Sequence, residues 1–205
     1  MAHEFDILPG AEPFIFEGGN TGILISHGFT GTTQSMRPLA EAFSQQGYSI
    51  YAPRLKGHGT HYEDMETSTY QDWIASVEEA YAWLMERCDK IFVAGLSMGG
   101  TLALYMAENH PEIRGIALIN AAIEVPDMEG VMELQDVRFL DAIGSDIKKP
   151  GVTELAYDKT PVASIKEILP FMELVRKNLS AIHCPVMLFV SPEDHVVPPG
   201  NSKFI

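Results

Sequence analysis

The sequence is poor in cysteine and in basic residues. Its two cysteines, Cys88 and Cys184, lack C-x-x-C spacing, which argues against a disulfide scaffold and a zinc site and predicts reduced, packed thiols. Only 14 Lys and Arg stand against 28 Asp and Glu, for a net charge of −14, and no basic patch interrupts this excess. Such a chain repels nucleic acid and anionic lipid. No motif implies a metal or a cofactor, and we expect neither.

Long apolar runs are also lacking. No window approaches the roughly 18 apolar residues of a transmembrane helix, so we expect no stable membrane insertion. The first six residues carry acids where a signal peptide has a basic region and an apolar run, which predicts a cytoplasmic protein. The 205 residues are 46% hydrophobic and 20% charged, as is typical of one globular domain spanning 1–205.

Strand-like and helix-like segments alternate along the chain. This alternation predicts an α/β fold with a mostly parallel sheet and helices on both faces. Residues 53–69, between the predicted strand 48–52 and the predicted helix 70–87, are expected to form a long loop. The predicted strands are 12–17, 21–27, 48–52, 90–96, 113–120 and 185–190, and the predicted helices are 35–46, 70–87, 101–108 and 163–179.

The region from 121 to about 160, hereafter the insertion, breaks this alternation. Prolines and glycines are scattered there among short amphipathic pieces rich in Met, Val and Leu. A long segment directly after a strand's carboxyl end overhangs the site edge of a parallel sheet. We therefore interpret it as a small inserted cap, with a core of about 1–120 and 161–205.

One motif predicts the chemistry. Gly95-Leu-Ser-Met-Gly99 reads G-x-S-x-G and lies between a buried apolar strand and a helical segment. In a nucleophile elbow the glycines allow a sharp turn, so that the central serine projects from the strand's carboxyl end. The helix that follows directs free N–H groups and a positive dipole end at the same place. Ser97 is therefore the expected nucleophile.

Two further parts of a serine hydrolase site have candidates. Asp194, in a polar turn after the last strand, fits the chain order serine, acid, histidine, although it also suits an ordinary turn. The backbone N–H groups of Met98 and Phe29 are the expected oxyanion donors, with an apolar wall as the alternative role for Phe29. The loops 27–31, 95–99, 120 onward and 191–197 should converge at the strands' carboxyl ends.

No histidine fits the third role. The triad order requires one well beyond Asp194, and only His195 lies downstream, where an adjacent residue points elsewhere. His27 and His58 flank glycines and are expected to hold loop backbones, whereas His61, His110 and His183 suit surface or structural positions, and His3 is no better placed. Residues 199–205 begin a helix and then stop, so we expect a C-terminally truncated chain whose base lies beyond it.

Several motifs together resemble bacterial monoacylglycerol lipases and related carboxylesterases of the α/β-hydrolase superfamily. The motifs are residues 27–31, 53–59, 95–99, 143–146, 154–157 and 193–199. The resemblance implies an α/β-hydrolase fold with a small cap, Ser97 as nucleophile, Asp194 as acid, and an oxyanion hole from Phe29 and Met98. It also implies a histidine in a final loop that the 205 residues do not contain, so we expect this chain to be inactive or nearly so.

The family implies cleavage of a fatty acyl ester from glycerol, a small lipid substrate. Asn120 and Glu154 could hydrogen-bond the glycerol head, although Glu154 also suits a solvated helix, and Ile143 could narrow the passage or simply pack. A short-chain carboxylesterase or thioesterase, and a non-catalytic fragment or lipid-binding module, are the alternatives. Dehalogenases and epoxide hydrolases are disfavoured because they need a carboxylate at position 97. Association as a homodimer stays open.

Overall fold

A computed structural model describes residues 5–143, 147 and 149–205. His3 and residues 144–146 of the 143–146 motif therefore lie outside the described residues. The strands are β1 Phe14–Phe16, β2 Thr21–Ser26, β3 Ser49–Ala52, β4 Lys90–Leu96, β5 Gly115–Ile119, β6 Phe139–Asp141, β7 Lys159–Pro161 and β8 Val186–Phe189. The α-helices are α1 Arg37–Ser44, α2 Tyr62–Glu66, α3 Tyr70–Met85, α4 Met98–Asn109, α5 Pro126–Glu129, α6 Val162–Asn178 and α7 Asn201–Phe204. Short 3₁₀ helices cover Thr33–Met36, Gly130–Glu133 and Leu179–Ala181.

Within the part of the chain that the structure describes, the main sheet has six strands in the order β1-β3-β2-β4-β5-β8. Only β1 runs antiparallel to its neighbour, and the other pairings are parallel. The central strands β2 and β4 form the longest ladder, from Thr21 opposite Lys90 to Ser26 opposite Gly95. The predicted α/β-hydrolase sheet is confirmed, and its parallel strands bring their carboxyl ends to one edge.

Helices cover both faces of this sheet. On one face, α3, α4 and α6 enclose the larger core around Trp73, Leu102 and Phe171, which are fully buried. On the other face, α1 and the 3₁₀ turn before it bury Met36 and Ala40 against β1, β2 and β3. Strand β2 is buried from Gly22 to Ser26, as expected for an apolar strand that is covered on both faces. Strand β4 is also apolar along most of its length, but Phe92 is 37% exposed.

Two predicted boundaries need correction. The stretch 53–69 is not all loop, because α2 spans Tyr62–Glu66. His61 caps this helix by accepting the N–H of Glu63. Glu63 and Asp64 lie in the first turn, where negative side chains stabilise a helix through its dipole. The elbow helix begins at Met98 rather than at Thr101, because the glycines that follow the turn are already helical.

The described residues of the insertion contribute no strand to the main sheet. The insertion contains α5, a 3₁₀ turn and β6, which pairs antiparallel with β7 as the chain returns to α6. Hydrogen bonds to the rest of the chain hold both ends of the insertion. Asn201 of α7 accepts the N–H groups of Ile123 and Glu124 at 2.9 and 2.8 Å, and Tyr157 near the return donates its hydroxyl to Gly57 at 2.7 Å.

Strand β8 lies at an edge of the main sheet. Within the described ranges it pairs only with β5, and its apolar side chains are exposed, for example Met187 at 59% and Phe189 at 51%. Among the helices of the described ranges, none combines the length and the apolar character needed to cross a bilayer.

Candidate active site

Ser97 occupies a strained turn between β4 and α4. Its φ of 53° and ψ of −116° lie outside the regions that L-residues prefer. The turn depends on close contact between the flanking glycines, because a Cβ built on Gly95 would lie 1.9 Å from the carbonyl oxygen of Gly99. Any side chain at position 95 would push strand and helix apart. The G-x-S-x-G pattern thus produces the elbow geometry that the sequence predicts.

The backbone of Ser97 is bonded on both sides. Its N–H donates to the carbonyl of Ile119 in β5 at 3.0 Å, and its carbonyl accepts from Gly100 at 2.8 Å and from Ala122 at 3.2 Å. The Thr101 hydroxyl in turn donates to the Ala122 carbonyl. These bonds fix the start of the insertion against the turn that carries Ser97, and they offset the strain of its backbone.

The loop 27–31 lies directly beside this turn. A Cβ built on Gly28 would stand 3.4 Å from the Ser97 Cβ and 4.0 Å from its hydroxyl oxygen. Among the hydrogen bonds of the described residues, none uses the N–H of Phe29 or of Met98 as donor. The role of these two N–H groups as oxyanion donors stays a prediction. The Phe29 ring packs edge-on against His58 and Trp73.

His27 is buried beneath this loop with both ring nitrogens engaged. Its Nδ1 lies 2.9 Å from the Gly28 carbonyl, and its Nε2 accepts the N–H of Leu55 at 3.2 Å. Burial lowers its pKa from 6.5 to about 4, outweighing the opposite effect of the Gly28 carbonyl. A neutral ring that joins two loops holds backbone in place, as expected from its position between glycines.

His58 packs next to it, with ring centroids 5.2 Å apart. Its Nδ1 contacts the Lys56 carbonyl at 3.2 Å, while its buried Nε2 has no hydrogen-bond partner among the described residues. Burial is also the main reason that the pKa of His58 lies well below 6.5, with the neighbouring His27 adding to it. Both rings are therefore neutral near neutral pH.

The other described histidines upstream of Asp194 have surface or structural positions. His61 caps α2, and the exposed His183 lies in the loop before β8. His110, which directly follows α4, lies 2.9 Å from the Glu78 carboxylate. Because α4 starts at the elbow, its far end holds His110 roughly 15 Å or more from Ser97.

The carboxylate of Asp194 is held by three N–H donors. Oδ1 accepts from the backbone of Val196 and Val197, both at 2.8 Å, and Oδ2 accepts the side-chain amide of Asn120 at 2.6 Å. The oxygen of the same amide accepts the N–H of Ser191 at 2.8 Å. Asn120 directly follows β5, in the left-handed region with φ of 43°. The structure thus brings Asn120 to the predicted acid.

Glu154, in the insertion, lies against the loop 27–31. A Cβ on Gly31 would lie 3.0 Å from its Oε1, so the carboxylate rests on the loop 27–31. Partial burial raises its pKa above 4.5. Its position is not that of a fully solvated helix residue. Ile143, the third predicted substrate contact, is 73% exposed, and its role as a constriction stays a prediction.

The contacts of Gln34 and Tyr157, which hold the insertion beside the site, were not predicted from the sequence, although Tyr157 belongs to the 154–157 motif. The Gln34 side chain donates to the Thr153 carbonyl at 2.9 Å and accepts the N–H of Leu155 at 3.0 Å, so it bonds the backbone on both sides of Glu154. Tyr157 accepts the N–H of Thr60 at 2.9 Å. These partners are far apart in sequence, and the only available signal was a polar residue next to a site loop.

Comparison with known proteins gives consistent relatives. The family model "Serine aminopeptidase, S33" matches residues 20–205. A thermostable monoacylglycerol lipase from Bacillus sp. (strain H-257) is 57% identical over the whole chain, which spans 83% of that lipase. A carboxylesterase from Bacillus subtilis (strain 168) is 28% identical over 95% of the chain and 80% of its own length.

Solved structures agree with these relatives. A structure from work on LipS and LipT, two metagenome-derived lipolytic enzymes, has a TM-score of 0.94 and 47% identity, covering 98% of this chain and 83% of that one. The monoacylglycerol lipase of Paleococcus ferrophilus has a TM-score of 0.72 at 18% identity, over 94% of this chain and 81% of that one, and shares the fold.

Proposed function

This chain belongs to the serine aminopeptidase S33 family of α/β hydrolases, and from that premise we propose that it is a serine ester hydrolase that cleaves monoacylglycerol to fatty acid and glycerol. The observation that carries the proposal is the strained Ser97 turn, next to the backbone N–H groups of Phe29 and Met98, for which the described residues provide no acceptor. The 57% identity to a Bacillus monoacylglycerol lipase supports the choice of substrate.

The proposed chemistry is acyl transfer. The Ser97 hydroxyl gives its proton to a base and its oxygen attacks the ester carbonyl, whose oxygen takes the negative charge and accepts from Phe29 and Met98. The carbon–oxygen bond to glycerol then breaks, the base returns its proton to the leaving alkoxide, and Ser97 carries the acyl group. Water repeats the sequence and releases the fatty acid. Each oxyanion donor contributes about 3 to 4 kcal/mol to the transition state.

The base is proposed to be a histidine outside the 205 residues, oriented by Asp194. Its candidates within the described chain are poor, since His27 uses both nitrogens and His58 is buried among His27, Phe29 and Trp73. A chain without its base retains only about 10³- to 10⁴-fold acceleration over water, from oxyanion binding and substrate binding.

The insertion is proposed to act as a cap that selects the substrate. Glu154 offers a carboxylate beside the loop 27–31, where it can accept hydrogen bonds from glycerol hydroxyl groups. Buried acyl methylenes each contribute about 0.8 kcal/mol against apolar cap residues. A cytoplasmic location and a homodimer also belong among the proposals, and size-exclusion chromatography tests the second.

The test compares two proteins. One is the chain alone, and the other, hereafter the completed chain, joins it to the part of the Bacillus sp. lipase that it does not cover. Each is assayed by titrating the fatty acid released from monolauroylglycerol. We expect turnover by the completed chain, loss with Ser97→Ala, and little activity in the chain alone. Ser180→Ala, at an exposed serine, is the matched control and should be fully active.

Three outcomes would change the proposal. Ser97-dependent activity in the chain alone would mean that its base lies among its own histidines. Turnover of p-nitrophenyl butyrate without turnover of monolauroylglycerol would favour a short-chain carboxylesterase. If the completed chain hydrolyses no ester, the chain is a binding module or a fragment without catalysis.

A further inference from the structure

Both ends of the Asn120 side-chain amide bond the loop that carries the predicted acid. The amide nitrogen donates to Oδ2 of Asp194 at 2.6 Å, and the amide oxygen accepts the N–H of Ser191 at 2.8 Å. The residue is partly buried. One amide hydrogen and one acceptor position remain, but turning the amide toward a glycerol hydroxyl would break the two bonds to this loop, and an unpaired group of this kind is costly.

The carboxylate of Asp194 is held from two sides. Oδ1 accepts two backbone N–H groups, and Oδ2 accepts the Asn120 amide. Because a carboxylate oxygen has about two acceptor positions, Oδ2 can accept a base and the Asn120 amide together. Asn120 thus helps to set the direction in which Oδ2 faces.

Asn120 also connects the acid to the nucleophile. Its backbone N–H donates to the Phe189 carbonyl of β8 at 2.9 Å, and the preceding Ile119 accepts the N–H of Ser97 at 3.0 Å. Two consecutive residues at the end of β5 thus bond the serine turn on one side and the acid loop on the other. The left-handed φ of 43° at Asn120 turns its side chain away from the strand direction, a conformation that Asn tolerates better than most residues.

We infer that Asn120 is a positioning residue that fixes the Asp194 carboxylate relative to Ser97, and not a glycerol contact. This inference rests on the proposed function, in which Asp194 orients the catalytic base. It makes Asn120 necessary for every ester that the enzyme hydrolyses, whatever its alcohol.

Two variants of the completed chain separate the alternatives. Asn120→Asp keeps the size, the tolerance of positive φ and an acceptor for Ser191, but sets a carboxylate against Asp194. Asn120→Gly keeps the backbone and removes the side chain. The matched control is Asn20→Asp, because Asn20 makes the same amide-to-carboxylate bond, with Asp89 at 2.7 Å, in an exposed position at the opposite end of the strands.

We expect both Asn120 variants to lose kcat by roughly 10- to 100-fold, as is typical when a hydrogen bond to a charged group is lost. The loss should be equal for monolauroylglycerol and for p-nitrophenyl butyrate, which has no glycerol, and KM should change little. Asn120→Asp should also move the acid limb of the pH profile to higher pH, because an added negative charge favours a protonated base. Asn20→Asp should leave both substrates unaffected.

A loss confined to monolauroylglycerol and expressed in KM would overturn the inference and make Asn120 a glycerol contact. Unchanged kcat on both esters would also overturn it. Amide hydrogen exchange in the chain alone gives a readout that does not depend on activity. Asn120→Gly should speed exchange at Ser191, Val196 and Val197, and unchanged protection there would refute the positioning role even if the proposed function fails.

Discussion

The buried His27 makes stability depend on pH in a direction that can be measured. In the unfolded chain this ring takes up a proton near pH 6.5, whereas in the folded chain burial lowers the pKa to about 4. The unfolded state therefore binds more protons between these values. The free energy of unfolding keeps the His27 contribution above pH 6.5 and loses it as the pH falls toward 4.

The magnitude follows from the distance between the two pKa values. From 6.5 down to about 4, at about 1.4 kcal/mol per pH unit, the loss amounts to about 3 kcal/mol. This is a large part of the 5 to 15 kcal/mol that typically stabilises a domain. His58, whose pKa is also lowered by burial, adds to the loss in the same direction.

The assay compares urea unfolding of the wild type and His27→Gln across pH 7.5 to 4.5. Glutamine keeps a donor for Gly28 and an acceptor for Leu55 but does not titrate. Carboxylate titration is common to both proteins, so the difference between their free energies of unfolding isolates His27. We expect the free energy of unfolding of the wild type to fall relative to that of His27→Gln as the pH drops below 6.5. His183→Gln, at an exposed histidine, should follow the wild type, and parallel curves for the wild type and His27→Gln would refute the reasoning.

Three other substitutions test the remaining structure. Gly95→Ala would bring a Cβ within 1.9 Å of the Gly99 carbonyl oxygen, so we expect circular dichroism to show an unfolded protein. The control Gly130→Ala, which has open space around it, should fold normally. A well-folded Gly95→Ala would contradict the elbow packing. Gln34→Leu removes two bonds to the insertion and should speed its cleavage by protease, and unchanged cleavage would argue against this attachment. Phe189→Lys places a charge on the exposed edge strand β8 and should reduce self-association of the 205-residue chain, measured by light scattering. Equal scattering from this variant and the wild type would show that the edge does not drive association.

The sheet could be predicted from sequence because its signals are local. An apolar run such as 91–94, followed by a glycine-rich turn, indicates a strand, and β4 covers it. The elbow carries its own pattern within five residues. The same locality explains why α2 was missed, since a five-residue helix is too short to show an amphipathic period.

The contacts that assemble the site could not be predicted in this way. Gln34 bonds backbone groups 119 and 121 positions away, and Tyr157 bonds Gly57 across 100 positions. Such bonds join a common polar side chain to a main-chain group, so neither partner needs a distinctive residue type. Asn120 was singled out because it follows a strand, but its partner Asp194 depends on how β5 and β8 lie beside each other.

The insertion is fastened by residues that lie outside it. Asn201 bonds its departing backbone at Ile123 and Glu124, and Gln34 bonds its returning backbone around Glu154. Because these partners bond main-chain atoms, they accept almost any side chain at the positions they hold. The stretch between these two attachments can therefore change its sequence while Ser97 and Asp194 keep their surroundings. Under the proposed role of the insertion as a cap, a change of preferred ester would arise in a part of the chain that is separate from the residues around Ser97.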